Sequence, residues 1–391
     1  MIEVLYIIGG EGKRYGSEII AMDLLAAGKE NGIRYTAVVA NRGVVSEFCE
    51  RNGIACIVVP FTFFVYKEPG NPLLKFVKKT IWKNRAEFLT KRAAKVIART
   101  VDMKKIDVIH TNLSRDMLGG LLSRKYDIPH IWHIQELFRS HYQLTFLKKD
   151  QVRWMDEHAD RFIAISDTVA KEWGSNGLTP ERITTVMNGV DLSPIRTKET
   201  YTEDGELKML MIGHLCPAKG QDQIIRKLAQ VPSEIREHIT LSFIGDGEES
   251  YQKLLKEQAE ASGVKIRLLG YCDHIGDVLA DYDIGLNCSR GEGFGLTTVE
   301  YMAAGLCVLA ADTGANTELI RDGENGVLFS YADDADFAKQ VVFMYNNREK
   351  TAAIGEAAKQ YALQNFALPN MQQKVYTLYR KVSRREEKQE K

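Results

Sequence analysis

The sequence predicts an α/β protein of two doubly wound domains, each a parallel sheet covered by helices on both faces. Three observations predict it. Short apolar runs rich in Val and Ile alternate with longer amphipathic segments from end to end, the pattern of strands buried on both faces. The alternation breaks once, near Leu192–Leu207, where DLSPIRTKETYTEDGEL loses its periodicity and gathers Pro194, Gly205 and charge. Each half then begins alike, with a strand running into a glycine-rich turn: VLYIIGGEGKRYGSE in the first, LKMLMIGHLCPAKGQD in the second.

Taken in order, the first half carries strand patterns at Val4–Ile8, Thr36–Val39, Cys56–Val59, Val108–His110, Ile131–Ile134, Phe162–Ile165 and Thr185–Met187. The second carries them at Lys208–Ile212, Thr240–Ile244, Lys265–Leu269, Ile284–Asn287, Leu306–Leu309 and Gly326–Leu328. The expected domains are residues 1–192 and 207–368, joined by a linker at 193–206. From Pro369 an amphipathic helix (MQQKVYTLYRKV) precedes a charged tail, RREEKQEK; this segment, 369–391, is expected to pack back on the first domain.

At 391 residues the chain is too long for one ordinary core. Its formal net charge of zero gives no global reason to expect nucleic acid as a partner. No apolar stretch approaches the roughly 20 residues of a membrane-spanning helix. MIEVLYIIGG reads as a buried strand rather than a secretory signal. The six cysteines are scattered without a C-x-x-C pair, so neither a disulfide framework nor a zinc site is expected and a reducing cytoplasm suits the chain.

The chemistry concentrates at EGFGLTTVEYMAAGLCVLA, residues 292–310. A strand, a loop with Gly291, Gly293 and Gly295, and a helix from about Thr297 follow one another. Glycines let a ligand approach the backbone, and a helix N-terminus offers N–H groups to an anion. Glu292 and Glu300 bracket the loop, one at the strand exit and one on the helix's first turn. Glu300 also completes Thr297-x-x-Glu300, a capping box, so helix closure and ligand binding stand side by side for it. Glu292 has no helix to cap and reads as a ligand contact against the alternative of an exposed loop carboxylate.

E-G-F-G-L-x-x-x-E, followed by Gly305, a strand, Thr313-Gly314-Ala315-x-x-Glu318 and Asp322-Gly323-x-Asn325-Gly326, resembles the donor-site signature of glycosyltransferase family 4. The resemblance spans nearly the whole chain. It implies a GT-B fold, two Rossmann-like domains facing a central cleft. It implies also a retaining transferase that moves sugar from a nucleoside-diphosphate sugar, UDP-linked before GDP-linked, to a hydroxyl of a glycan or lipid-linked acceptor. Cell-surface polysaccharide or glycolipid synthesis in the cytoplasm, on or near the inner face of the membrane, is the role it suggests. No metal or other cofactor is implied.

The same resemblance distributes roles. Lys219 falls on the family's diphosphate-binding lysine, whereas His214 replaces the usual arginine and lacks its guanidinium fork. Gly245, in IGDGEE, leaves room for the nucleotide. Glu292 and Lys219, with His133 of WHIQE near the donor sugar, form the expected catalytic set. Gly9, Gly10, His214, Gly245, Gly293, Phe294, Gly295, Leu296 and Glu300 form the expected donor site. Asn188-Gly189-Val190-Asp191 matches a hinge-related segment. A non-catalytic scaffold with the same fold is the alternative, kept open by His214; a nucleotide-sugar 2-epimerase or a phosphorylase fits the loop less well.

In the first half, His110, Asn112, His133, Glu136 and Ser166 are read as lying just past strand ends, where open sheets bind ligands. His110, Asn112 and Glu136 are accordingly acceptor-side candidates, with Lys13 and Arg14 beside them in the first glycine turn; a satisfied core histidine and solvated loop cations are the competing readings. From Lys67 to Lys105 twelve basic residues face three acidic ones, with Phe61, Phe63, Phe64, Tyr66, Phe76 and Trp82 among or just before them. Residues 61–105 thus read either as a sheet-covering helix with a solvated basic face or as a peripheral contact with an anionic membrane.

Overall fold

A computed structural model describes residues 1–10, 12, 15–67, 72–138, 144–199 and 205–383. Of the expected site residues, Lys13 and Arg14 lie outside this set. The chain divides into two compact units, one of Met1–Gly189 with the segment from Pro369, the other Val190–Leu368.

The first unit is built on β1 (Ile2–Ile8), β2 (Ile33–Val39), β3 (Ala55–Val58), β4 (Val65–Lys67), β5 (Val108–Asn112), β6 (His130–Ile134), β7 (Leu144–Phe146), β8 (Arg161–Ala164) and β9 (Ile183–Thr185). Seven of these form one parallel sheet in the order β3-β2-β1-β5-β6-β8-β9. β1, β5 and β6 are almost wholly buried, as strands covered on both faces must be. The order reverses between β1 and β5, the switch point at which such sheets open a crevice at their carboxyl ends.

The second unit repeats the plan with β10 (Leu207–Ile212), β11 (Ile239–Ile244), β12 (Ile266–Leu268), β13 (Ile284–Asn287), β14 (Cys307–Ala311) and β15 (Val327–Phe329). They form a six-stranded parallel sheet, order β12-β11-β10-β13-β14-β15, switching between β10 and β13. Its core joins Met209, Met211, Leu241, Phe243, Leu286, Leu309 and Phe329 to helix residues such as Ile224, Ile225 and Phe337. Residues 193–199 are fastened to this unit: the Lys198 amide donates to Ala304 O, and the Lys198 ammonium meets the buried Asp283 carboxylate at 3.1 Å.

Three sequence readings are corrected here. β4 and β7 pair antiparallel as a separate two-stranded ribbon; each is three residues long, too short to show a period. His110, Asn112 and His133 lie within β5 and β6 rather than past their ends, because β1 extends the pairing to Ile8↔Asn112 and β5 in turn pairs Asn112↔His133. The glycine-loop helix starts at Leu296, capped by Gly295 without a side-chain hydrogen bond. Thr297 is therefore not a cap, the capping box is absent, and Glu300 lies beyond the first turn.

The last helix, Leu368–Val382, belongs to the first unit's core from Met371 onward. Tyr376 Oη donates to Leu24 O at 2.8 Å and Arg380 to Asn31 O at 3.0 Å. Tyr376 and Tyr379 are fully buried, and large aromatic side chains are the costliest core groups to remove.

Candidate functional site

In the second unit three loops leave the carboxyl ends of β10, β11 and β13 together. The β10 loop closes on the β11 loop: Leu215 N donates to Asp246 O at 2.8 Å. A Cβ on Gly245 would lie 2.1 Å from Gly213 O, and Gly245 has φ 144°, so this crossing admits glycine and little else. The β10 loop ends at Gly220, which opens the helix Gln221–Leu228. Lys219 sits one residue before it and reaches across to the β13 loop.

That reach makes the central contact. Lys219 Nζ lies 3.1 Å from Glu292 Oε2, both groups partly buried. Glu292 is fixed from behind by the loop after β14: Ala315 N donates to Glu292 O at 2.9 Å. A Cβ on Gly314 (φ 56°) would stand 2.3 Å from the same oxygen. Gly314 thus lets the backbone of one loop lie flat on the other, which is why a glycine so far along the chain belongs to this site.

Beyond Glu292, Gly293 is partly exposed, Phe294 buried and Gly295 buried at φ 95°. The Phe294 ring packs edge-on against Phe366 at 5.9 Å; it anchors the loop and takes no exposed position. Leu296, half-buried, begins a helix whose first N–H groups have no partner within it, the arrangement that receives anions. Beneath, Asn287 Nδ2 donates to Thr298 Oγ1 at 3.0 Å and Ile212 N to the buried Tyr301 Oη at 2.6 Å. Strand ends and helix are so held in register. Glu300 is half-buried on this helix and His214 is exposed, its carbonyl receiving Gln221 Nε2 at 3.1 Å. Among the described residues no group of His, Cys, Asp and Glu has the disposition of a metal site.

In the first unit the candidates separate into two sets. His133 is fully buried, and neither ring nitrogen has a hydrogen-bond partner among the described residues. Burial holds its pKa down at about 3, so the ring is neutral. His110 stacks on it at 5.3 Å and on Tyr6 at 4.3 Å, and its Nδ1 bonds the Tyr379 hydroxyl. Tyr35 Oη donates to Tyr379 Oη at 3.3 Å, so the Tyr379 hydroxyl links Tyr35 to His110 Nδ1. Burial again lowers the pKa of His110, helped by the neighbouring histidines.

Asn112 and Glu136 are occupied by the protein itself. Asn112 donates to Ser17 O at 3.1 Å and accepts from Gln135 Nε2 at 2.6 Å. Glu136 accepts from Ser114 N and Oγ at 3.0 and 2.6 Å and from Gln135 N at 3.0 Å, with Arg115 Nε 3.4 Å away. Both act as braces beneath the strand ends. Ser166 caps the helix Asp167–Ser175 by accepting from Val169 N. Gly9 and Gly10 follow β1 directly, and a Cβ on Gly10 would lie 2.2 Å from Glu18 Oε1. Glu18 is a group that sequence reasoning passes over as a helix opener: it is 3% exposed, and burial raises its pKa. Its signal was an acid on the first turn after a strand-end double glycine.

Two family models cover most of the chain: residues 16–194 match the one described as Glycosyltransferase Family 4, and residues 195–361 the one described as Glycosyl transferases group 1. The chain is 25% identical over 281 residues to an uncharacterized glycosyltransferase of Methanocaldococcus jannaschii, covering 69% of this chain and 74% of that one. It is 31% identical over 209 residues to the phosphatidyl-myo-inositol mannosyltransferase of Mycobacterium leprae, covering 51% and 54%. Among solved structures, Anabaena HepE in complex with UDP matches with a TM-score of 0.77 at 22% identity, over 96% of this chain and 99% of that one. HepE has also been solved with UDP-glucose.

Proposed function

The chain belongs to the family 4 and group 1 glycosyltransferases and has their GT-B fold, and we propose that it transfers a sugar from a UDP-sugar, with retention of configuration, to a hydroxyl of a glycan or lipid-linked acceptor. The observation that carries this reading is the Lys219–Glu292 contact at the head of the helix Leu296–Ala304. It sets a cation, a carboxylate and a helix N-terminus side by side, which are the groups a diphosphate leaving group and sugar hydroxyls require. UDP is favoured because a fold relative has been crystallised with UDP and UDP-glucose.

In this mechanism the bond from the sugar's anomeric carbon to the diphosphate oxygen breaks. A bond from the acceptor oxygen forms on the same face, and the acceptor proton passes to the departing diphosphate. Lys219 and the N–H groups of Gly293–Leu296 offset the growing charge; His214 adds a hydrogen bond at the phosphate. Glu292 orients sugar hydroxyls, Glu300 the ribose, and His133 contacts the sugar as a neutral ring. Gly9, Gly10 and Gly245 give the nucleotide sugar room. His110 supports His133 from behind. No metal takes part. We also assign residues 61–105 a peripheral contact with an anionic membrane, in keeping with a lipid-linked acceptor and a cytoplasmic setting.

A thermal-shift panel of UDP-, GDP-, ADP- and TDP-sugars tests the donor. Ligand at a hundred times its dissociation constant adds about 2.7 kcal/mol of stability, and the expected response is confined to the uridine series. Proton NMR of the product reads the anomeric configuration, and an inverted product would refute the retaining mechanism. A folded protein that answers to no nucleotide sugar would instead favour the scaffold.

A further inference from the structure

The first unit holds a pair of thiols that the transfer reaction does not use. Cys49 lies on the helix Val44–Arg51 and Cys56 on β3. The helix ends in a tight turn: Gly53 takes φ 65°, Ile54 N donates to Cys49 O at 2.9 Å and Gly53 N to Glu50 O at 3.4 Å. This is the double closure that a left-handed glycine permits, and it doubles the chain back on Cys49 as β3 begins. Strand alternation then turns Cys56 the right way. Cys56 pairs with Ala37 of β2, and its neighbour Ile57 takes the opposite face, where it packs into the core of Leu5, Val38 and Ile109. Cys56 is thus turned away from that core and toward the helix, and its sulfur accepts a hydrogen bond from the Cys49 thiol.

The two thiols differ in their surroundings. Cys49 is fully buried; its bond to Cys56, and then burial, push its pKa up. Cys56 is half-buried and lies on an end strand of the seven-stranded sheet. The bond from Cys49 brings the Cys56 thiol down against the opposing effect of burial, which favours its thiolate. By contrast Cys288 and Cys307 are buried, and burial pushes both up to about 12, which leaves them inert. An accessible thiolate in contact with a buried thiol offers one sulfur to be oxidised and a second to resolve it.

We propose that Cys56 and Cys49 form a reversible dithiol oxidation site whose oxidant is a hydroperoxide, hydrogen peroxide being the simplest. The Cys56 thiolate attacks one peroxide oxygen, the O–O bond breaks, and hydroxide leaves and takes a proton to become water. Cys56 is then a sulfenic acid. The Cys49 sulfur attacks the Cys56 sulfur, an S–S bond forms, and the sulfenic hydroxyl departs with the Cys49 proton as a second water. Two thiols have given up two electrons and two protons, and one peroxide has become two waters; a dithiol reductant reverses the change. The inference goes beyond the transferase reading and does not depend on it. The element it acts on is the helix Val44–Arg51. Val44 N donates to Gly12 O at 3.2 Å, and a Cβ on Gly43 would lie 2.3 Å from the same oxygen. A disulfide in the last turn therefore fastens a helix whose first turn already rests on the loop after Gly9 and Gly10.

Thiol counting on the full, folded chain tests it. The protein is reduced, freed of reductant, treated with hydrogen peroxide and then quenched and titrated in denaturant. The free thiols should fall from the six of the reduced chain to four, and dithiothreitol should restore six. Trypsin cuts after Arg51, between the two cysteines, so the disulfide is read by mass spectrometry as two joined peptides, one holding Cys49 and the other Cys56. Cys56→Ser should keep all of its thiols under the same treatment. Cys49→Ser should form no disulfide and leave a sulfenic acid at Cys56 that dimedone traps. A cooperative thermal transition in each reduced variant shows that it folds, and the wild-type peptide map decides the matter by itself if one does not. Six thiols remaining in the treated wild type overturn the site. So does a loss that maps to Cys216 or Cys272, or a Cys49–Cys56 bond that forms only once the chain is unfolded in urea. A wild-type Cys56 that stops at the sulfenic acid removes the resolving role of Cys49 and overturns the dithiol.

Discussion

Lys219 and Glu292 are 73 residues apart in sequence, yet Nζ meets Oε2 at 3.1 Å, so the loop after β10 and the loop after β13 act as one unit. The pair is partly exposed, and as a stabilising contact it is worth little. Its placement at a helix N-terminus gives it another use, since a cation and a carboxylate that position each other need no rearrangement to meet charge of either sign.

Substitution of either partner therefore separates binding from turnover. Lys219→Ala is expected to weaken UDP binding and lower kcat by about two to three orders of magnitude, the usual effect of removing one charge-stabilising donor. Glu292→Gln keeps shape and loses charge; it should lower kcat while leaving UDP affinity nearly unchanged. Calorimetric titration with UDP beside steady-state kinetics reads both. Wild-type turnover in Glu292→Gln would assign the activity elsewhere.

Gly314→Ala should act on Glu292 from behind. The added Cβ would stand 2.3 Å from Glu292 O at a left-handed φ, so either the loop shifts or strain of about 1–3 kcal/mol is stored. A lower Tm with a raised KM for the donor is expected. A kinetically silent Gly314→Ala would show that the loop's backbone is not held as described.

The buried histidines set an acid limit on stability. His133 and His130 titrate at about 3 and about 4, and His110 is shifted the same way, in each case chiefly by burial. Unfolded, each titrates near 6.5. Depressed folded values mean that the full contribution is present above about pH 6.5 and is lost as pH falls toward the folded values. Each proton that the unfolded chain binds and the folded chain does not lowers stability as pH falls across that window. Urea melts at stepped pH should show this slope, and His133→Gln should flatten it.

Tyr379→Phe removes the hydroxyl that meets His110 Nδ1. An unsatisfied buried polar group costs about 1–3 kcal/mol, so the variant should unfold at lower urea with an unchanged m-value. No loss of stability would mean that His110 is satisfied in another way.

Chelation tests the expectation of metal independence: activity after treatment with EDTA and return to metal-free buffer should equal that before. Loss of activity restored by magnesium or manganese would show that the reaction needs a divalent metal.

The sheets were legible because most of their strands contain a short apolar, β-branched run, and β1, β10 and β13 needed no tertiary information to be found. The loop from Glu292 to Leu296 was legible through its glycine spacing. What escaped depends on neighbours distant in sequence. Asn112 and Glu136 look like free polar groups until Gln135 and Ser114 are placed beside them. Phe294 looks like a loop aromatic until Phe366 is packed against it. Gly314 reads as a turn residue, although its importance lies in what would collide with it. Three-residue strands such as β4 carry too little sequence to show a period.

The last helix gives the chain an order of completion. Tyr376 and Tyr379 fill the core of the first unit, yet in the chain they follow the whole second unit. The first unit must wait, its core short of two aromatic side chains, while the whole second unit is made and is free to fold. A ribosome stalled shortly before Pro369 would thus hold a second unit with its own core complete and a first unit still open to proteases, the reverse of the order in which the two are encoded.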